Sequence, residues 1–109
     1  MAYDTELAKR VTAMMAGMAG FHEKKMFGGI GYLLDGNMAC GVLKGHLIVR
    51  VGAEQQAACL ARPHTRPFDV TGRPMQGWVM VSADGCRSDA DLAAWIERGV
   101  SVARSLPAK

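Results

Sequence analysis

The feature that most narrows what this chain can fold into lies between Met26 and Val51, where short apolar stretches alternate with tight-turn residues. Met26, Ile30, Tyr32 and Leu34 fall two apart or at multiples of two, with Gly29, Gly31 and Leu33 alternating against them, which is the period of a strand with one partly bare face. Asp35-Gly36-Asn37 follows, and Gly and Asn tolerate the positive φ that a hairpin turn needs. Met38 to Leu43 reads as the return strand, Lys44-Gly45 as a second tight turn, and His46 to Val51 as a third strand. Hairpin-joined strands run antiparallel, so this stretch predicts a three-stranded meander. In its third strand Leu47, Val49 and Val51 share one face, while His46, Ile48 and Arg50 share the other.

Helical periodicity flanks the meander. Leu7, Val11, Met14 and Met18 are spaced i, i+4, i+7 and i+11, an amphipathic helix that Asp4 can cap and that Gly17 or Gly20 can end. Ala53 to Ala61 reads as a short second helix, blocked from continuing by Pro63. Residues 62–75 are broken by Pro63, Pro67, Gly72 and Pro74 and predict a loop with a brief strand at Phe68 to Thr71. Gly77 to Ala83 is a clearer strand, with Val79 and Val81 alternating against Trp78 and Met80. Ser88 followed by Asp91 resembles a capping box, and Leu92, Trp95, Ile96, Gly99, Val102, Ala103 and Leu106 form one stripe of a last helix that Pro107 closes. The predicted order is α-β-β-β-α-β-β-α. That is a two-layer α+β fold: a mostly antiparallel five-stranded sheet with helices mainly on one face. Residues 1–109 make a single domain, since folding at this length removes roughly two thirds of the unfolded surface from water and no repeat or flexible linker interrupts the pattern.

Such a sheet leaves one partly apolar face in need of cover. Ile48, Trp78 and Met80 are the candidates for it, and a homodimer is the expected outcome. Lys and Arg number 13 against 10 Asp and Glu, spread evenly with no basic tail or block, so nucleic acid is not an expected partner. No apolar run approaches the ~20 residues of a membrane span. Asp4 and Glu6 stand where the positive region of a secretory leader would be, and Cys40, Cys59 and Cys86 are an odd, widely spaced set. Both features fit a reducing, cytoplasmic compartment in which the thiols are buried filler.

No complete catalytic or metal motif is present. A dinucleotide fingerprint starting at Gly29 and Gly31 needs a glycine where Leu34 stands, and should open a helix rather than a hairpin. His22, His46, His64 and the cysteines lack ligand spacing, and the serines lack a nucleophile elbow. Asp89 and Asp91 sit in the first turn of the last helix, where they complement its dipole. These readings predict a chain that is not an enzyme and carries neither cofactor nor metal. The one polar grouping that points to binding is Arg62, His64, Arg66 and Arg73 in the proline-rich loop, together with Arg50 at the end of the third strand. Guanidinium forks match the oxygens of an anionic ligand, an acidic peptide or a phosphate; the competing reading is that these groups are solvated or paired with Asp69 and Asp84.

Lys25-Met26-Phe27-Gly28-Gly29-Ile30-Gly31, Asp35-Gly36-Asn37, Val49-Arg50-Val51, Arg66-Pro67-Phe68, Thr71-Gly72-Arg73-Pro74-Met75 and Gly77-Trp78-Val79 together resemble the TfoX amino-terminal domain family, as does the closing segment from Trp95 to Leu106. The resemblance spans nearly the whole chain. It implies a small α/β domain whose longer relatives regulate natural competence in bacteria alongside a cyclic-AMP-dependent transcription activator. Those relatives carry a second, carboxy-terminal helical domain. The sequence reaches Lys109 without a stretch like it, so the resemblance does not by itself imply a transcriptional role. The resemblance implies no catalytic residues. The expected function is a non-enzymatic cytoplasmic regulatory or protein-interaction domain; the alternative is a sensor or carrier of a small anionic molecule, with a pocket between the glycine-bearing strand and a helix.

Overall fold

The computed structural model of the chain describes residues 4–26, 28–69 and 74–108. In chain order the elements are α1 (Thr5–Met15), β1 (Phe21–Met26), β2 (Gly29–Leu34), β3 (Asn37–Leu43), β4 (His46–Arg50), α2 (Gln56–Leu60), β5 (Thr65–Asp69), β6 (Pro74–Val81), a short 3-10 turn (Ala83–Cys86) and α3 (Asp89–Ser105). The strands form one antiparallel sheet of six, ordered β1-β2-β3-β4-β6-β5. The α+β class and the antiparallel sheet agree with the sequence pattern, but the strand count of five is corrected to six. The additional strand is β1, whose sequence Phe-His-Glu-Lys-Lys-Met has no apolar alternation because four of its six residues are exposed at the sheet edge. Charged residues on an edge strand keep it from templating further pairing, and the same residues hide it from a hydrophobicity pattern.

Local chemistry fixes the element ends. The Asp4 side chain accepts hydrogen bonds from the Glu6 and Leu7 amides and starts α1. Ser88 Oγ accepts from the Asp91 amide at 3.1 Å and starts α3. At the β2–β3 hairpin Asp35 and Gly36 both hold positive φ, 53° and 84°, the requirement of the tight turn whose twist matches the strands it joins. α1 stops at Met15, short of both glycines offered as its end.

The core lies between the sheet and the helices. Leu7, Val11 and Met15 of α1 and Leu92, Trp95, Ile96 and Ala103 of α3 pack on Tyr32, Leu34, Cys40, Val42, Leu47, Val49, Val79 and Val81 of the sheet. Each fully buried Val or Leu contributes roughly 1.5–3 kcal/mol relative to its exposed state. Ala39 is the extra residue of a bulge, since Tyr32 pairs with Cys40 while Leu33 pairs with Met38. There α3 packs directly on the strand backbone: a Cβ at Gly99 would lie 2.1 Å from the Ala39 carbonyl oxygen, so only glycine permits the contact. Polar ties hold the helices in place. Arg10 of α1 donates to the carbonyls of Cys86 and Arg87, each at 3.0 Å, and the buried Asn37 amide donates to the Pro107 carbonyl at 2.9 Å.

Candidate functional site

Among the described residues, the opposite side of the sheet carries no helix. Register and strand alternation define its residues. Lys24, Gly31, Gly41, Ile48, Met80 and Arg66 line up across the six strands as one transverse row. Met26, Gly29, Leu43 and His46 form a row beside it, and Leu33, Met38, Arg50 and Trp78 lie on its other side. The bulge at Ala39 matters here, because it places Met38 on this face with Gly41 and Leu43 although Met38 and Gly41 are an odd number of residues apart.

Glycine shapes the surface. Gly31 and Gly41 pair in register, and a Cβ on Gly31 would lie 2.9 Å from the Met26 methyl and 3.2 Å from that of Met38. The two methionines therefore lie down over a glycine floor. Around them Phe68 and Trp78 meet with ring centroids 6.0 Å apart, Ile48 is only 3% exposed, and Met75 is 41% exposed at the rim. A small apolar cavity of about 60 Å³ remains beneath Met26, Met38, Phe68, Met75 and Trp78, a volume of about two waters. Methionine is unbranched and polarizable, so a surface built from it repacks readily against a partner.

Cations border this apolar surface. The Arg50 guanidinium stacks 5.7 Å from the Trp78 ring centroid. Between the β3–β4 turn and β5 runs a cleft of about 500 Å³, lined by Lys44, His46 and Arg66 together with Leu43, Phe68 and Met80. His46 is half-buried, and its Nδ1 is buried without a hydrogen-bond partner. Asp69, at the end of β5, also borders the cleft. Glu23 of β1 points the other way, accepting from the Thr12 hydroxyl of α1 at 2.7 Å.

Of the arginine grouping read from the sequence, the structure brings Arg50 and Arg66 onto this face. Arg62 lies on the helix side, its guanidinium 5.6 Å from the Trp95 ring centroid, where Arg98 also stacks at 5.2 Å. His64 is exposed in the turn before β5 with φ of 67°, and its carbonyl accepts from the Ser82 amide. Arg73 lies outside the described residues. Ile48, Trp78 and Met80, read as a candidate face, do share one surface. The sequence reading missed Met26, Met38, Leu43, Phe68 and Met75 as their neighbours and Lys24 and Lys44 at the border. Lys24 lies on a strand that has no hydrophobic pattern, Met26 reads in sequence as continuing into Ile30 and Tyr32 where a hairpin intervenes, and Met38 sits beside a bulge.

The thiols take no part in this surface. Cys40, Cys59 and Cys86 are free and buried. Burial pushes the Cys40 thiol from its usual value of 9.0 up to about 12, and burial likewise raises that of Cys86. Among the described residues no three His, Cys, Asp or Glu side chains gather as a metal site, and no helix is long and apolar enough to cross a membrane.

Fold and surface together define a two-layer α+β domain with one sheet face that no described element covers, apolar at its centre and basic at its border. A family model described as the TfoX N-terminal domain matches residues 13–103, most of the chain, and the chain belongs to that family. No curated protein and no solved structure gives a significant match.

Proposed function

We propose that this chain is a non-enzymatic interaction module that works by contact between the uncovered sheet face and another polypeptide. Membership of the TfoX N-terminal domain family points to a regulatory, competence-related setting, in which binding is the relevant act. The observation that carries the reading is the asymmetry of the sheet: one face is sealed by α1 and α3, and the other presents Met26, Met38, Leu43, Met80 and Trp78 half-buried, with no element among the described residues over them. Half-buried methionine and aromatic side chains on a continuous face are the composition of an interface core. A second reading, capture of a small anion, draws on the cleft with Lys44, His46 and Arg66 and on the unpartnered His46 Nδ1.

A photo-crosslinking side chain placed at Met80, and separately at the exposed Ala94 on α3, tests the proposal in living cells. The position-80 probe is expected to join the chain to a discrete polypeptide that the position-94 probe does not capture. Equal labelling from both positions, or none from either, overturns it. A melting temperature raised by a small anionic metabolite, with no polypeptide captured, favours the second reading.

A further inference from the structure

We infer that the uncovered sheet face takes an acidic amphipathic helix from a partner protein, its apolar stripe on the methionine and aromatic centre and its carboxylates on the basic border. This inference rests on the interaction reading above and adds the chemistry of the partner.

Charge is the first argument. Lys24, Lys44, Arg50 and Arg66 border the apolar centre, and Asp69 lines the same cleft as Lys44 and Arg66. Lys24 on β1 and Arg66 on β5 end the same transverse row, while Lys44, next to the Leu43–His46 row, and Arg50, in the row with Trp78, lie on its two sides, so positive groups flank the apolar centre as well as ending it. An apolar strip with cations on both flanks is complementary to an apolar stripe with carboxylates on both flanks. A second copy placed face to face brings arginine and lysine against arginine and lysine, and like charges across an interface disfavour it. The charges thus do not favour the homodimer expected from the apolar residues alone.

Backbone chemistry is the second argument. A segment laid over Ile48, Trp78 and Met80 loses water from its own amides and carbonyls, and each must then find a partner. The sheet offers none on this face, since its hydrogen bonds run between strands. Its edges are poor templates as well: Pro67 interrupts β5, and β1 is charged. A segment that satisfies its own backbone meets the requirement, and that is a helix. Six strands at about 4.8 Å spacing span roughly 24 Å, the length of a helix of about 16 residues.

The test uses the whole chain with a synthetic helix carrying Leu and Phe at i, i+3, i+4 and i+7 flanked by Glu, a matched peptide flanked by Lys, and vesicles of phosphatidylcholine with phosphatidylserine. Methionine methyl NMR reports the site. The Glu-flanked peptide is expected to shift Met26, Met38 and Met80 saturably, to weaken as salt rises, and to bind about tenfold less tightly to R66Q, whose exposed position spares the fold. The Lys-flanked peptide is expected to bind at least about tenfold more weakly to the unaltered chain. Equal binding of both peptides, binding of neither, or binding to the vesicles alone overturns the inference. Concentration-dependent self-association abolished by M80E overturns the acidic helix but leaves the interaction reading standing. If the face contacts neither peptide nor a second copy, and the crosslinker at position 80 captures nothing, both fall.

Discussion

The two faces of the sheet are built from different side chains, and the difference shows which was shaped for fit and which for adaptability. The covered face uses Val42, Val49, Val79, Val81, Leu34 and Leu47, stiff or well-defined rotamers that are almost wholly buried against α1 and α3. The uncovered face uses Met26, Met38, Met75 and Met80 with Phe68 and Trp78, over glycines. Glycine serves both faces in opposite ways. At Gly99 it admits rigid backbone; at Gly31 it admits the ends of two flexible side chains.

The sharpest way to break this comparison is to add the same methyl group on each side. Gly99→Ala forces a Cβ to within 2.1 Å of the Ala39 carbonyl oxygen, which cannot move without shifting β3 or α3. A loss of about 3 kcal/mol in urea unfolding is expected; a loss below about 1 kcal/mol would show that the covered face yields as easily as the other.

A smaller effect, taken one pH unit above the usual thiol value of 9.0, follows from the thiol beneath α1. Cys40 touches Met15 Sδ at 3.6 Å, and its folded value near 12 exceeds its usual 9.0. Between those limits the unfolded chain has released the proton and the folded chain has not, so stability present below pH 9 drains away as pH rises toward 12. The unaltered chain is expected to lose up to about 1.4 kcal/mol per pH unit above 9 beyond what Cys40→Ala loses. Parallel alkaline curves for the two proteins would show that the covered face admits water at Cys40.

The smallest effect is expected at Gly31→Ala. The atoms nearest its added methyl are Met26 Cε, Met38 Cε and Met26 Sδ, all ends of flexible chains. Stability measured by urea unfolding should change by less than about 1 kcal/mol, because the reduced freedom of the unfolded chain offsets the displaced methionines. A loss comparable to that of Gly99→Ala would mean the uncovered face is as rigid as the covered one.

Much of the covered face was legible in the sequence, since periodicity alone places Leu47, Val49 and Val51 together and marks Leu92, Trp95 and Ile96 as one helical stripe. The uncovered face was legible only at Ile48, Trp78 and Met80, where alternation is unbroken. Met38 escaped because the bulge at Ala39 inverts the alternation of β3, and a single inserted residue leaves no compositional trace. Lys24 escaped because an edge strand exposed on both sides has no reason to alternate, and Met26, which the spacing joins to Ile30, Tyr32 and Leu34 as one strand, instead ends β1 and pairs with Gly29 across a hairpin. The arginine grouping divided for a different reason: neighbours in a proline-rich stretch need not share a surface, and Arg62 turns to Trp95 while Arg66 stays with Met80.

The edges of the sheet set a limit on what crowding can do to this molecule. A bare apolar flank beside open strand margins is the recipe for fibril growth, in which copies stack flank to flank and lengthen margin to margin. Here Pro67 on one margin and the His-Glu-Lys-Lys run on the other stop the lengthening, so at high concentration clumping should stay amorphous and reversible, with no cross-β order.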